Sequence, residues 1–527
     1  MTDAKSAMET VHSKPKNIVL CSDGTGNSAI KDRGTNVFKL YEAVDIHGYR
    51  SDPQLAEQIA FYDDGVGTQA LLPLKLLGQA FGWGLARNVK DLYLELVRVY
   101  DPGDKLFLFG FSRGAFTIRT LAGLIQCCGI PDRERCETNA ELKKLVETSY
   151  DEYRARYGRF WRRRERGRFK VDDPQRRERL KAVQHEVHAP GGLVPIEFIG
   201  VWDTVDAVGM PIDELADFWD AFIYPFRFHD RTLTRQVLCA RHAVSIDDER
   251  RTFRPVLWNE AGALPGQIEQ LWFAGVHANV GGGYPTQGMS LVALDWMLAE
   301  AAARGLKFIE SDQESFRAHR DVHDKLYDSR SGLGVYYRWE PRDIDMICRA
   351  AGADVRIHDS VFERIAHGTS GYAPGNIPAS LEIGGTRGVP HSAQTAAIRD
   401  LLAQEMGKLG AASLFGTAEA RLWARVGRLS YYGFLALSIA ALYFGLRDSV
   451  PPISLSDPLG WIASAAGVLW NIMNSADALW QIAKKVAFTW WFAPGAVICY
   501  GTAALVDQRL DARFSSFWHP LRPRVHT

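Results

Sequence analysis

Gly110-Phe111-Ser112-Arg113-Gly114 sets a serine between two glycines. A serine hydroxyl becomes a strong nucleophile only when a neighbouring base takes its proton, so the pentad gains meaning from a histidine and a carboxylate elsewhere in the chain. The plainer reading is a serine capping the N-terminus of a helix. The flanks separate the two. Residues 105–109 (KLFLF) form an apolar run of strand length, and residues 115–125 carry apolar side chains at helical spacing until Gly129 and Pro131 stop the pattern. A strand, a glycine-flanked turn and a helix in that order form the setting of a nucleophile elbow, where a strained turn presents the serine at the C-terminal edge of a sheet.

Other strand-like runs also end in groups with chemistry. Residues 17–22 (NIVLCS) run into Asp23-Gly24-Thr25-Gly26-Asn27, which reads equally as a tight turn or as an oxyanion loop. In the second reading the backbone N–H groups of Gly24 and Thr25 act with that of Arg113. Residues 195–201 close in Asp203, and residues 268–276 end at His277 with three glycines, Gly281 to Gly283, just beyond. The order Ser112, Asp203, His277 is the one expected of an α/β hydrolase. His277 would take the Ser112 proton and Asp203 would orient the imidazole, with Asp206, Asp247 and Asp248 as alternative acids.

These groups need a sheet whose strands all end at one edge, so the fold class expected is an α/β-hydrolase-like, mostly parallel sheet with helices on both faces. Hydrophobic residues make up 46% and charged residues 24% of the 527, a globular composition. Lys plus Arg and Asp plus Glu number 62 each, so no global field argues for nucleic acid. Seven scattered cysteines without a C-x-x-C pair suggest neither a disulfide framework nor a zinc site. No metal ligand set and no phosphate-binding glycine loop is evident, and no cofactor is expected.

The C-terminal region differs in kind. Residues 429–446 and 486–506 are uncharged runs long enough to cross a bilayer, with Tyr431, Tyr432, Trp490 and Trp491 near their ends. They predict a two-helix transmembrane hairpin; a hairpin lying in one leaflet is the other reading. Arg421, Arg425 and Arg428 precede the first run, and Arg509, Arg513, Arg522 and Arg524 follow the second, whereas the connection 447–485 balances three basic against three acidic residues. Positive flanks stay inside, so the catalytic domain is expected on the cytoplasmic face of the inner membrane. The expected organisation is a flexible 1–15, a catalytic domain over 16–405, a linker over 406–428, the membrane region 429–506 and a basic tail 507–527. An insertion at 131–190 holds thirteen Lys and Arg against four acidic residues between 154 and 181, either a solvated face or a contact for anionic headgroups. Residues 211–230, with Phe218, Trp219, Phe222 and Phe226, read as core or as a lid over the site.

Six ordered motifs, NIVLCSDGTGN, FYDDGVGT, LFGFSRGAF, IGVWDTVDAVG, ARHAVSIDDERRTFRPVLW and WFAGVHANVGGGY, resemble one family. It is the uncharacterised α/β hydrolase domain family that includes the first family of type VI secretion lipase effectors. The likeness runs over roughly residues 15 to 400. It implies a serine esterase, acting on phospholipids in some members, with the family's serine on Ser112 and its histidine on His277; the family's aspartate falls on one of the candidates above. The C-terminal runs depart from secreted effectors and suit a resident membrane protein. The expectation is therefore a membrane-anchored lipid esterase. A non-catalytic scaffold, or a tethered esterase or thioesterase for soluble substrates, is the alternative.

Overall fold

The computed structural model describes residues 14–24, 34–65, 79–157, 194–205, 231–388, 395–446 and 490–526, with residues 464, 467, 475, 477, 480, 481, 484 and 485 between the last two stretches. The expected lid at 211–230 and the basic run from 158 onward lie outside the described residues.

Short apolar runs that cannot be amphipathic helices become strands, buried on both faces in the centre of the sheet and partly exposed at its edges, residues 58–63 and 382–384. Among the described residues these are β1 (Asn17–Ser22), β2 (Gln58–Asp63), β3 (Lys105–Phe111), β4 (Phe198–Trp202), β5 (Ala240–Ser245), β6 (Ile268–Phe273), β7 (Arg356–His358) and β8 (Glu382–Gly384). They pair in parallel throughout, in the order β2-β1-β3-β4-β5-β6-β7-β8. The two-residue period divides each strand between two apolar layers. Val19, Cys21, Phe107, Phe109, Phe111, Phe198 and Trp202 join one layer. Ile18, Leu20, Leu106, Leu108, Ile199 and Val201 join the other.

The helices that cover the sheet are α1 (Asn36–Ala43), α2 (Gln79–Val99), α3 (Arg113–Cys128), α4 (Asn139–Tyr157), α5 (His277–Gly281), α6 (Gly288–Ala302), α7 (Glu310–His319), α8 (Ile344–Ala350), α9 (Asp359–His367) and α10 (Thr395–Leu409). Helices α2, α3 and α4 pack on one face, and α1 and α6 on the other. Helix α6 is apolar around nearly its whole circumference and is buried accordingly.

Two long helices follow, α11 (Ala418–Leu446) and α12 (Phe492–Trp518). They run antiparallel. Glu419 pairs with Arg513, the Ser430 hydroxyl donates to the Cys499 carbonyl at 2.7 Å, and Phe444 meets Trp491 edge-on at 5.8 Å. Among the described residues one helical stretch, ending with α11 at Leu446, is long and apolar enough to cross a membrane, and most of its apolar part is exposed. The second expected run begins in part outside the described residues, at 486–489. Its helix does not stop at 506 but continues through Asp507, Arg509, Asp511 and Arg513.

That continuation corrects the expected division of the chain. Val506, Leu510, Phe514 and Trp518 recur every four residues and bury one stripe of α12 in the main apolar layer. The expected linker 406–428 is likewise structured: Leu414 and Ala420 are buried, the Ala379 N–H donates to the Ala412 carbonyl at 2.8 Å, and the Phe415 ring meets Phe514 at 4.8 Å. The end of α12 therefore packs into the sheet domain, where a separate basic tail over 507–527 was expected. Trp518 is fully buried and its indole N–H donates to the Pro374 carbonyl at 2.9 Å. Trp518→Ala should lower stability by about 3–5 kcal/mol, the usual cost of emptying such a site. Unfolding in detergent measures it, and a loss under about 1 kcal/mol would mean that this part of α12 is dispensable to the fold.

Candidate active site

Strand order creates the site before any side chain does. The chain steps from β1 outward to β2, then returns to place β3 on the other side of β1. A parallel sheet opens a crevice beyond the strand ends at such a switch point. The ends of β3, β4, β5 and β6 lie in successive positions along this edge and carry Ser112, Asp203, the pair Asp247 and Asp248, and His277.

Ser112 takes φ 58° and ψ −121°, a left-handed conformation that costs a non-glycine residue on the order of 1–3 kcal/mol. Its N–H donates to the Trp202 carbonyl at 3.0 Å, which ties the turn to β4. The flanking glycines are required by contact. A Cβ on Gly114 would stand 2.1 Å from the Ser22 carbonyl oxygen, and one on Gly110 would stand 2.6 Å from the Gly114 carbonyl oxygen. Glycine at 114 lets α3 start directly against the end of β1, and glycine at 110 lets it start against the end of β3. Ser112 is only 8% exposed, so it lies deeper than an elbow serine presented at a surface.

His277 opens α5, and its N–H donates to Asp248 at 3.1 Å. Its ring lies between Phe111, at 4.6 Å and 34°, and Phe253, edge-on at 5.0 Å. Nε2 stands 2.8 Å from the Ser112 hydroxyl oxygen and Nδ1 stands 2.5 Å from Asp203 Oδ2. A carboxylate can only accept, so Nδ1 carries the proton and Nε2 presents its lone pair to Ser112. Burial lowers the imidazole below its ordinary pKa, against the opposing pull of Asp203.

Asp203 is fully buried and also sits at positive φ, 38°. Besides His277 it accepts from the Ser245 N–H at 2.9 Å, the Ser245 hydroxyl at 3.2 Å, and both Nη atoms of Arg342 at 2.6 and 2.8 Å. Burial would raise its pKa, but the Arg342 charge and these bonds overcome that and hold the carboxyl well below the usual range. Among the described residues it is the one expected acid on the imidazole. Asp247 instead accepts from the Gly275 N–H at 2.6 Å and Tyr372 at 2.9 Å, and burial raises it to about 6. Asp248 holds the His277 backbone and pairs with Arg250 at 2.7 Å. Asp206 lies outside the described residues, as do Phe218, Trp219, Phe222, Phe226 and Thr25. The Gly24 N–H, expected as an oxyanion donor, points to its neighbour Asp23 Oδ1 at 2.6 Å. Arg113 is the first residue of α3, so its N–H sits at a helix N-terminus beside Ser112. No group of three His, Cys, Asp or Glu side chains able to hold a metal occurs among the described residues.

The arrangement is an unbroken hydrogen-bonded chain from Asp203 through His277 to Ser112, able to move the serine proton onto a buried, oriented imidazole. Sequence reasoning missed Arg342, Ser245 and Phe253. Ser245 ends β5 and was within reach of a strand reading. Arg342 was not: it is one arginine among many, 139 positions from the carboxylate it binds.

A family model described as "T6SS, Phospholipase effector Tle1-like, catalytic domain" matches residues 16–300, more than half of the chain, and the chain belongs to that family. The match stops about a hundred residues before the limit expected from the motifs. The uncharacterized protein YEL023C of Saccharomyces cerevisiae is 27% identical over 266 residues, 48% of this chain and 34% of that protein. The chain thus spans about a third of the length of the yeast relative it matches. The crystal structure of an uncharacterized protein from Pseudomonas aeruginosa aligns with 89% of this chain and 63% of that one, at 16% identity and a TM-score of 0.33.

The elbow yields a test independent of activity. Gly114→Ala meets backbone and cannot be relieved by a rotamer change, so it should destabilise the fold by about 1–3 kcal/mol or more. Gly407→Ala in α10, where nothing lies within 4 Å, should be neutral or stabilising. Equal unfolding midpoints for the two variants would contradict the close approach of α3 to β1.

Proposed function

We propose, from that family membership and the geometry of the site, that the protein is a membrane-anchored serine hydrolase that cleaves carboxylic esters of membrane phospholipids. The observation that carries the reading is the Asp203–His277–Ser112 chain at the switch point of the sheet. Ser112 attacks the ester carbonyl while His277 takes its proton. The tetrahedral intermediate collapses to an acyl-enzyme as His277 returns that proton to the departing alcohol. Water, deprotonated by His277, then releases the fatty acid and restores Ser112. Asp203 holds the imidazole tautomer and stabilises its cation. The developing oxyanion lies by the N-terminus of α3, where the Arg113 N–H is the proposed donor. No residue in this scheme needs a metal or an organic cofactor.

The anchor is the α11–α12 hairpin. Leu429 (72% exposed), Tyr443, Trp490, Val497, Ile498 and Tyr500 turn apolar surface outward, an arrangement suited to lipid and not to water. Only the part of α12 before Asp507 would enter the bilayer, because the rest packs in the catalytic unit. Arginines at 421, 425, 428, 509 and 513 flank the apolar segments on the domain side, which supports a cytoplasmic catalytic domain.

Fluorophosphonate should label the wild type and not Ser112→Ala, and that substitution should cost on the order of 10⁶ in turnover, as loss of such a nucleophile does elsewhere. Folded Ser112→Ala with turnover within tenfold of wild type would overturn the assignment.

His277 must be neutral to act, so activity is present above its pKa and lost as pH falls through it. Burial lowers that pKa, so the acid limb should lie below about 6.5. A kcat/KM profile whose acid limb lies above 7 would contradict the buried imidazole.

Topology is tested by single cysteines in a background without the native ones. Ser464→Cys should react with an impermeant reagent added to intact cells, and Ser516→Cys should not. Reaction at Ser516 alone or at both overturns the cytoplasmic placement; reaction at neither favours a hairpin held in the inner leaflet.

A further inference from the structure

Arg342 lies beyond the family match, in the segment between α7 and α8, yet its side chain reaches the centre of the site. Its guanidinium is almost wholly buried and grips Asp203 with two parallel bonds, Nη1 to Oδ1 at 2.6 Å and Nη2 to Oδ2 at 2.8 Å. The same two nitrogens donate to the Ser245 and Phe253 carbonyls, both at 2.6 Å. Those carbonyls fix the fork, and the fork fixes the carboxylate plane. Phe253 also packs edge-on against the His277 ring, so Arg342 holds both the acid and the backbone of a residue that walls the base.

The segment is itself fastened to the hairpin. Arg330 bonds Asp507 at 3.3 Å and Glu249 at 3.1 Å, the Tyr431 hydroxyl donates to the Tyr336 carbonyl at 3.0 Å, and Tyr336 meets Phe434 at 5.4 Å. Arg338 lies 5.7 Å from the Tyr432 ring centroid. Arg342 thus reaches the acid from a strap, residues 327–342, that is fastened both to the loop after β5, at Glu249, Arg250 and Arg251, and to α11 and α12.

We infer that Arg342 is a positioning residue of the proposed ester hydrolysis, holding Asp203 ionised and in plane so that it orients His277 without making it a strong base. The inference rests on the triad reading above. A buried carboxylate with one histidine partner has two ways to relieve its charge: it can take a proton, or it can pull one strongly onto the imidazole. The first loses the orienting charge, and the second leaves His277 protonated and unable to accept from Ser112. A permanently charged, bidentate partner suppresses both, because arginine stays protonated and its planar fork matches the carboxylate.

The other ionisable groups around the pair do not supply this. Asp248 and Arg250 face His277 from the loop after β5, but they are paired with each other. His242 on β5 faces Asp203, and burial lowers its pKa to about 3, so it is neutral. Arg342 is the cation in contact with Asp203 among the described residues.

The test uses the full-length protein in detergent, with ester turnover followed from pH 4 to 9. Arg342→Gln removes the charge and the fork. Turnover should fall by on the order of 10²-fold or more with KM little changed, as misplacement of a catalytic group does. The acid limb should also move to higher pH. Both routes predict that direction, since either Asp203 protonates more readily or His277 becomes more basic. Arg342→Lys keeps the charge and loses the fork, so its turnover should fall while its acid limb stays nearer the wild-type position. A residue that only stabilises the fold would lower the active fraction and leave the limb in place. Wild-type turnover or an unmoved acid limb in Arg342→Gln overturns the inference; if that variant does not fold, wild-type turnover in Arg342→Lys does so. Failure of the underlying reading is distinct, because wild-type protein would then show no Ser112-dependent labelling by fluorophosphonate.

Discussion

A single negative charge in the protein interior sets the terms for the rest of the site. Asp203 has no solvent contact, and an isolated carboxylate there would cost several kcal/mol or simply take up a proton. It stays ionised because donors converge on it from three parts of the chain: Ser245 from the end of β5, His277 from the start of α5, and Arg342 from the segment before α8. Each donor restricts the element that carries it. The alignment of β4 with β5 and β6, and the path of the 327–342 strap, answer in part to this one carboxylate.

The backbone shows where strain is concentrated. Among the described residues, Ser112 and Asp203 are two of the three non-glycine positions with positive φ, and both end strands at the same edge of the sheet. The third, Ser370, lies elsewhere. Strained residues persist where their surroundings over-determine them. Ser112 is held by its N–H bond to Trp202 and by the two glycine contacts, Asp203 by its N–H bond to Ala243 and by the ring of donors around its side chain. An all-parallel sheet with both faces covered has enough apolar burial to hold two such turns side by side.

The C-terminal helices change character along their length. Near the domain, α12 presents a buried stripe at four-residue spacing. Farther out, both helices carry exposed leucine, valine and aromatic side chains. Asp507 marks the change on α12, and its partner Arg330 belongs to the strap that leads to Arg342. The two C-terminal helices and the site therefore share a short physical connection, which a flexible linker would have prevented.

Much was already legible in the sequence because it depends on local pattern. The strands at 17–22, 105–111 and 268–273 follow from short apolar runs, the elbow from glycines on both sides of Ser112, and the chain order of serine, aspartate and histidine from the ends of those runs. Family membership was legible for the same reason, since its motifs sit at the strand ends. Tertiary structure alone decided which aspartate meets the imidazole, because Asp203, Asp247 and Asp248 all follow strands and differ only in where the neighbouring strand places them. It alone decided that residues 406–428 are packed and that α12 runs on past 506, since charged residues on one face hide a buried stripe on the other. It alone brought Arg342 to Asp203. A contact between positions 139 apart has no period, spacing or flanking signal, and it exists only once the sheet and strap are folded around it.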